Sequence, residues 1–354
     1  MKILVGLSGG VDSAVTAAIL KTKGYDVIGV TMAIWGDKKA TVHSSKHGAC
    51  LGPDEKNDIE TAERISKYLD IPFHVIDCSK KYDEIVLNYF KDEYLSGRTP
   101  NPCIRCNSLI KFGILPLVAK EKGIEFDKFA TGHYARIVEK DGIYYLKQAT
   151  DKLKDQSYFL YKLTQEQLKN IILPLGEYLK SEVRELSEEF GLEVSDKPDS
   201  QDFFEGDYNE LLEVDEKEGN IVNSEGKILG KHKGFWNYTI GQRKGLGVSS
   251  SEPLYVIKLE KDTNTVVVGN IDKTFKKLLI ADEINFPSGL KIKNGHYFAK
   301  IRSSQKPQKC EIEVFENKLK VDFEEYQKSI ALGQSVVIYD KETVLAGGII
   351  REVL

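Results

Sequence analysis

The sequence predicts an α/β protein: an N-terminal doubly wound parallel sheet, then a small β module and a C-terminal β-barrel. Three observations carry this. Strand-like and helix-like patterns alternate over roughly the first 135 residues, a glycine turn joins the first strand to the first helix, and short alternating strands take over from Gly219. The strand-like runs are Ile3–Leu7, Val27–Met32, Phe73–Ile76 and Lys128–Thr131. Helical patterns fall at Ala14–Lys23, Asp58–Leu69, Tyr82–Tyr94 and Ser108–Lys122, which is the order of a parallel sheet with its ligand at the strands' carboxyl ends. A mostly helical stretch follows from Gln156 to about Gly191. Beyond it, Leu254–Leu259, Thr265–Val268, Phe298–Ile301, Glu311–Phe315 and Ser335–Tyr339 read as short strands between glycine turns. The expected domains are 1–205, 206–272 and 273–354.

The turn is Ser8-Gly9-Gly10-Val11-Asp12-Ser13, directly after the apolar run Ile3–Leu7. Unpaired N–H groups and the positive end of the helix dipole suit such a turn to an anion. The glycines admit phosphate close to the backbone, and the Ser8 and Ser13 hydroxyls supply donors. The spacing is neither the Walker loop, which requires a lysine after its last glycine, nor the Rossmann G-x-G-x-x-G. It resembles the pyrophosphate-binding loop (PP-loop) of enzymes that split ATP between its α and β phosphates and adenylate a substrate. The alternative is an ordinary glycine turn capped by Ser or Asp.

With 354 residues, 41% hydrophobic and 29% charged, the chain has the composition of a globular protein of two or three domains. No apolar stretch looks able to span a bilayer and no signal-like sequence opens the chain, so a cytoplasmic protein without a membrane role is expected. Five cysteines, an odd number, argue against a disulfide framework and toward metal or redox chemistry where they cluster. The net charge of −4 does not advertise nucleic-acid binding. Charge is uneven, however: residues 181–219 are acidic, while Lys231, Lys233, Arg243, Lys244, Lys300, Arg302, Lys306 and Lys309 recur later. A local basic face for a polyanion and a solvated mixed surface both fit that pattern.

Gly97-Arg98-Thr99-Pro100-Asn101-Pro102-Cys103-Ile104-Arg105-Cys106-Asn107 forms the second constellation. Its prolines set up a stiff loop that presents Cys103 and Cys106 near a helix N-terminus, where the dipole favours thiolate. The pair suits a metal, an iron–sulfur cluster or a dithiol couple. Cys50, in Gly48–Pro53, is placed to meet them above the same sheet edge, which makes Cys50, Cys103 and Cys106 a candidate cluster site. Cys78 and Cys310 read as buried core thiols. Thr131-Gly132-His133-Tyr134-Ala135-Arg136 ends another strand at the nucleotide crevice, with His133 either a ligand contact or a packed side chain. Lys154-Asp155-Gln156 reads alone as a helix cap. Phe235–Gly247 mixes aromatics, cations and glycines, as RNA stacking or a packed β-hairpin would need.

In order and nearly end to end, these motifs are similar to the bacterial tRNA-specific 2-thiouridylases. The likeness rests on Ser8–Ser13, Gly97–Asn107, Ala130–Arg136, Lys154–Gln156, Asp199-Ser200-Gln201, Thr239–Gly247 and Lys300–Arg302. It implies ATP-dependent adenylation of the C2 oxygen of the wobble uridine in tRNAs for Lys, Glu and Gln, with Mg²⁺, followed by displacement of AMP by sulfur. By the same resemblance Gly6, Leu7, Ser8, Gly9, Gly10, Val11, Asp12, Ser13, Met32 and Gly132 bind ATP, with Asp12 also catalytic. Asn101, Pro102 and Cys103 lie by the target base, Lys154, Asp155, Gln156, Arg302 and Ser303 contact tRNA, and Cys106 holds the family's first cysteine position.

One departure stands out. Where the family places its second, persulfide-carrying cysteine, this chain reads Gln201-Asp202-Phe203-Phe204. With Cys103 and Cys50 in addition, the pattern resembles other tRNA thiolases in which three cysteines hold a 4Fe–4S cluster. The expectation is therefore a cluster-dependent thiolase using Cys50, Cys103 and Cys106, with a Cys103/Cys106 persulfide relay as its rival. The sulfur donor would be a cysteine desulfurase, a sulfur carrier or free sulfide. A tRNA-binding protein without catalysis, or a ligase with another acceptor as in argininosuccinate, GMP or lysidine synthesis, are the alternatives.

Overall fold

The computed structural model describes residues 1–36, 49–51, 55–193, 202–204 and 208–354. The chain begins with β1 (Lys2–Gly6), α1 (Val11–Thr22), β2 (Asp26–Ala33), β3 (Ala49–Leu51), α2 (Glu55–Tyr68) and β4 (Phe73–Asp77). Two long helical runs follow, α3 over residues 79–95 and α4 (Pro102–Glu121), then β5 (Lys128–Ala130) and a hairpin of β6 (Ala135–Lys140) and β7 (Ile143–Gln148). The first part closes with α5 (Gln165–Asn170), β8 (Ile171–Ile172), α6 (Lys180–Glu189) and β9 (Asp202–Phe204). After α7 (Tyr208–Leu212) comes the middle sheet of β10 (Gly219–Asn223), β11 (Ile228–His232), β12 (Tyr255–Glu260) and β13 (Thr265–Gly269). The last part holds β14 (Phe275–Asn285), β15 (Gly295–Lys300), β16 (Gln308–Phe315), β17 (Lys318–Lys328), β18 (Ser335–Asp340) and β19 (Thr343–Val353).

The first sheet is parallel with strand order β4-β2-β1-β5-β8. The chain runs from β1 out through β2 and β4, then returns to the other side of β1 as β5. The strand order therefore reverses between β1 and β5, and a ligand crevice opens there, beyond the carboxyl ends. Period-2 alternation explains why both faces are covered. Ile3 and Val5 pack with Ala17 and Leu20 of α1, while Leu4 faces Phe112, Leu115 and Phe129 on the other side. Each of those fully buried aliphatic side chains contributes about 1.5–3 kcal/mol. The expected strands and the first two helices are present, with ends shifted by a few residues.

Three differences from the sequence expectation have physical causes. The helix expected from Ser108 starts at Pro102, because Pro102 fits the first helical position and the Asn101 side chain accepts from Ile104 N (3.4 Å) as its cap. Residues 156–191 are broken into short helical pieces around β8. The β6–β7 hairpin, unforeseen from sequence, leaves the first part and joins the barrel sheet through Thr343↔Lys147. By length and composition α4 would be able to cross a membrane, yet its apolar face (Ile104, Ile110, Phe112, Leu115) lies in the core.

The middle sheet, in order β11-β10-β13-β12, packs Ile221, Val256, Val266 and Val268 against Phe90 and Tyr94 of α3. In the last part β14-β17-β16-β15-β18-β19 closes on itself through β14–β19, so six strands make an antiparallel barrel. Its interior holds Leu279, Ile312, Val321, Phe323, Ile338 and Ile350. Cys78 and Cys310 are buried as expected, and burial pushes their thiols up to about 11 and about 12. Both therefore stay protonated at neutral pH.

Glu342, at the β18–β19 turn, fastens hairpin to barrel. It accepts from Lys152 Nζ (2.7 Å) and Arg136 Nη2 (2.5 Å), and these two cations hold its carboxyl at about 2 instead of 4.5. A lowered carboxylate pKa stabilises the fold above pH ~4.5, and that contribution disappears as pH falls from there toward 2. Thermal melts of Glu342→Gln should therefore match wild type less well at pH 7 than at pH 2.5, where the variant's deficit is much smaller. A deficit independent of pH would refute the ion-pair origin.

Candidate active site

The loop after β1 is shaped by two contacts that only glycine permits. Gly9 has φ +72°, and a Cβ there would lie 2.6 Å from the carbonyl oxygen of Asp58 in α2. A Cβ on Gly132, at the exit of β5, would lie 2.8 Å from the carbonyl carbon of Asp12 and 2.9 Å from Ser13 N. The β5 exit thus rests directly on the first turn of α1. Inside the loop, Ser13 Oγ accepts from Ser8 N (3.2 Å), donates to Gly10 O (2.9 Å) and stands 3.3 Å from Ser8 Oγ. Gly10 precedes the first helical residue, so the amides of α1 open toward the crevice with the positive end of the dipole behind them. Gly6 ends β1 beside Thr131, and Met32 lies near the end of β2, paired with Ile76.

Asp12 is the acidic group of this loop. Its Oδ1 accepts from Lys180 Nζ (2.7 Å) and from Tyr134 OH (2.8 Å), and its Oδ2 from Lys180 Nζ (2.8 Å). Lys180 is not singled out by the sequence, and Tyr134 only as a member of Thr131–Arg136 with no role of its own. The only signal was their position, Tyr134 two residues after Gly132 and Lys180 at the start of α6, and neither spacing reports a contact with residue 12.

His133 joins this loop to the cysteine helix. Its ring stacks at 5.5 Å on Phe112 of α4, its Nδ1 lies 2.7 Å from Thr131 Oγ1, and burial, helped by the charge of Lys111, lowers its pKa to about 3. It is therefore a neutral hydrogen-bonding group at physiological pH, not a cation. Gln156 pairs with Tyr134 through Tyr134 N to Gln156 Oε1 (2.9 Å) and Gln156 N to Tyr134 O (2.8 Å). Asp155 works internally: its carboxylate accepts from Gln148 Nε2, Ala149 N and the Ser157 amide and hydroxyl. Lys300 of the barrel lies 3.9 Å from Asp155. Lys154 is half-buried in the same turn.

Cys103 is half-buried and Cys106 buried, one turn apart at the start of α4. On either side of Cys106, Arg105 Nε and Asn107 Oδ1 are buried without a hydrogen-bond partner. Each such group ordinarily costs about 1–3 kcal/mol. From Cys106 to Ile114 the helix is π-wound, a geometry common at functional sites. The preceding loop is held by the barrel. Gln334 Nε2 donates to Pro100 O (3.0 Å) and Thr99 O (3.3 Å), Asn101 Nδ2 donates to Gln334 Oε1 (3.5 Å), and Thr99 N donates to Leu332 O (2.8 Å). Below the loop, Arg351 and Arg98 share the buried carboxylate of Glu93. Asn101, Gln334, Arg302, Ser303 and Thr239–Gln242 line a groove of about 490 Å³ where all three parts meet. The structure thus brings Asn101, Arg302 and Ser303 together, with Pro102 and Cys103 just beyond.

The Phe235–Gly247 segment behaves differently. Phe235 and Trp236 are buried as a ring pair, with Trp236 Nε1 donating to Asn209 Oδ1 (2.7 Å), so they serve the core instead of stacking on a ligand. The expected three-cysteine site is described only in part. The side chain of Cys50 and residues Asp199, Ser200 and Gln201 lie outside the described residues. Among the described residues, no three of His, Cys, Asp and Glu are grouped to hold a metal. The backbone of β3, which carries Cys50, pairs in parallel with β9, with Leu51↔Phe204 in register. Leu51, Phe204 and Cys106 belong to one apolar cluster.

A parallel-sheet domain with this loop, followed by a β module and a closed barrel, defines a PP-loop nucleotide enzyme of the tRNA-modifying class. Family profiles match in three consecutive blocks: a tRNA methyl transferase HUP domain over residues 1–204, a tRNA methyl transferase PRC-barrel domain over 211–270 and an aminomethyltransferase beta-barrel domain over 276–350. The tRNA-specific 2-thiouridylase MnmA of Endomicrobium trichonymphae is 49% identical, over 99% of each chain. The namesake from Clostridium perfringens is 46% identical, over 100% of this chain and 99% of that one. The chain belongs to the tRNA-specific 2-thiouridylase family. Among solved structures, a 4-thiouridine synthetase in complex with RNA and ATP overlaps at a TM-score of 0.34 with 19% identity, covering 56% of this chain and 42% of that one.

Gly132→Ala tests the contact on which the loop rests. The added methyl must push the first turn of α1 aside, an overpacking cost of about 1–3 kcal/mol. The KM for ATP should rise roughly tenfold while the circular-dichroism spectrum is kept, since 1.4 kcal/mol is one decade. An unchanged KM would mean that the close approach does not shape the nucleotide site.

Proposed function

We propose that the protein catalyses ATP-dependent 2-thiolation of the wobble uridine in tRNAs for Lys, Glu and Gln, in the cytoplasm. The observation that carries this is the Gly132-His133 unit. It touches the phosphate loop through Gly132 and Phe112 of the cysteine helix through His133, so one strand exit links the nucleotide crevice to the helix that carries Cys103 and Cys106. The methyl-transfer wording of the domain profiles does not compete, since nothing in methyl transfer calls for a phosphate loop beside paired thiols.

The target uridine must leave the anticodon stack, and the groove of Asn101, Arg302, Ser303 and Gln334 has the size and polarity for a flipped nucleotide. A urea-like C2 carbonyl is a poor electrophile. Its oxygen attacks the α-phosphorus of ATP, the new O–P bond forms, the bond to the bridging β-oxygen breaks, and pyrophosphate departs. The amides of α1 and the Ser8 and Ser13 hydroxyls face the charge that develops on those phosphates. Mg²⁺ would be held with Asp12 as its protein ligand, and it would supply further charge neutralisation. Sulfur then adds at C2 and AMP leaves with the former carbonyl oxygen.

For the sulfur step, the proposed site is Cys50, Cys103 and Cys106. What supports it is backbone placement: the strand that carries Cys50 pairs with the Phe204 strand, and Leu51 and Phe204 belong to the same apolar cluster as Cys106. These thiolates would hold a 4Fe–4S cluster, which supplies an open iron for sulfide. The second reading is a relay, favoured by the i, i+3 spacing of Cys103 and Cys106. There, a persulfide on Cys106 attacks C2, AMP leaves, and Cys103 then cleaves the S–S bond. Thiolated tRNA and a Cys103–Cys106 disulfide result, and an external thiol reduces that disulfide.

Thiolation of wobble-uridine tRNA, assayed anaerobically with ATP and sulfide and read by retarded migration on a mercury gel, separates these routes. Product from iron–sulfur-reconstituted protein alone, lost together with iron in Cys50→Ala, is the expected result. Equal product from metal-free protein given a persulfide donor would establish the relay. Pyrophosphate release without any thiolated product under both regimes would count against thiolation itself.

A further inference from the structure

Lys180 stands outside every motif that the ATP chemistry explains. It is the first residue of α6, a helix packed on α1 through Val183 against Val11, Ala14 and Val15. Its backbone N–H is anchored by Asp151 Oδ2 (3.0 Å), and its side chain, 9% exposed, runs back to the mouth of the phosphate loop. There Nζ lies 2.7 and 2.8 Å from the two oxygens of Asp12 and 5.7 Å from the centre of the Tyr134 ring. A nearly buried ammonium on a flexible stem therefore sits one residue from Ser13, where phosphate is to be bound.

We propose that Lys180 is a catalytic cation of the adenylation step, exchanging Asp12 for the β- and γ-phosphates when nucleotide binds. The proposal rests on the ATP-dependent reading above. Keeping a buried ammonium paired requires a carboxylate in the absence of nucleotide, and Asp12 fills that place. When the phosphates arrive they bring up to four negative charges next to the same spot, and the carboxylate becomes a like-charged neighbour. Nζ then turns from Asp12 to meet the leaving group, and Asp12 would be left to hold the divalent cation. Tyr134 OH, already bonded to Asp12 Oδ1, keeps the carboxylate aligned through the exchange. As the bridging P–O bond breaks, negative charge accumulates on pyrophosphate, and a lysine held in a site of low water content stabilises it there. No proton needs to move. The contribution of Lys180 is greater in the transition state than in the bound substrate.

Lys180→Met keeps the apolar stem and removes the charge, and Lys180→Arg keeps the charge. In the full-length protein with saturating tRNA and Mg·ATP, pyrophosphate release by Lys180→Met should fall on the order of 100-fold in kcat, with KM for ATP changed much less, and Lys180→Arg should retain a larger share. Direct binding supplies a second readout. Inorganic pyrophosphate with Mg²⁺ should bind Lys180→Met about tenfold more weakly by calorimetry while AMP binds as in wild type, because AMP lacks the phosphates that Nζ would meet. A purely structural role would weaken AMP and pyrophosphate alike and lower the thermal midpoint in parallel, and that result would overturn the proposal. So would wild-type pyrophosphate release from Lys180→Met. If wild-type protein itself released no tRNA-dependent pyrophosphate, the thiolation reading would fail, while the pyrophosphate and AMP affinities would still decide the place of Lys180.

Discussion

No side chain separates the exit of β5 from the first turn of α1. That contact, Gly132 against the backbone of Asp12 and Ser13, brings the two backbones together with no room for a side chain. Most of what surrounds the crevice depends on it. It sets where Tyr134 emerges and hence its bond to Asp12, and it sets where His133 emerges and hence its stacking on Phe112 of the cysteine helix. Gly9 repeats the arrangement on the opposite side, with α2 as its neighbour. The phosphate loop is thus clamped between a strand exit and a helix, and its hydroxyls are spent on holding its own curve until a ligand offers something better.

The second organising element is charge that crosses between parts of the chain. Glu93, buried in α3, takes Arg98 from its own segment and Arg351 from β19. Glu283, in left-handed backbone at a bulge of β14, meets Lys162, Arg105 and Arg351. Its carboxyl stays below the usual range even though burial alone would raise it, because those three cations outweigh the burial. Isolated exposed pairs contribute little, but this set is shared, partly buried and spread over three elements. With Gln334 on the adjoining loop, it makes the barrel the wall against which the cysteine loop is set.

Much of this was legible in the sequence, for identifiable reasons. The alternation of strands and helices, the Ser8–Ser13 loop and the two buried outlying thiols follow from local pattern, which acts over a few residues. The start of α4 at Pro102 was missed because two prolines suggest a loop, whereas Pro102 after the Asn101 cap begins a helix. Trp236 beside cations fits a stacking platform and a packed aromatic pair alike; its ring is buried with Nε1 on Asn209, and only tertiary packing decides which way an aromatic faces. Lys180, Tyr134 and Gln334 were invisible for the same reason. They are ordinary residues in ordinary patterns, and their roles come from neighbours 168, 122 and 234 positions away.

The grip of Gln334 and Arg351 on the cysteine loop also has a consequence for biosynthesis. The ribosome delivers the phosphate loop well before Gln334, which holds Thr99 and Pro100, and Arg351, which holds Glu93. Domains emerging N-terminal first can fold in turn, so the nucleotide fold is able to form while the thiol loop still lacks its wall. A chain cut short before the barrel would hold the nucleotide fold without the wall against which the cysteine loop rests. The order of translation therefore places that wall after the nucleotide fold.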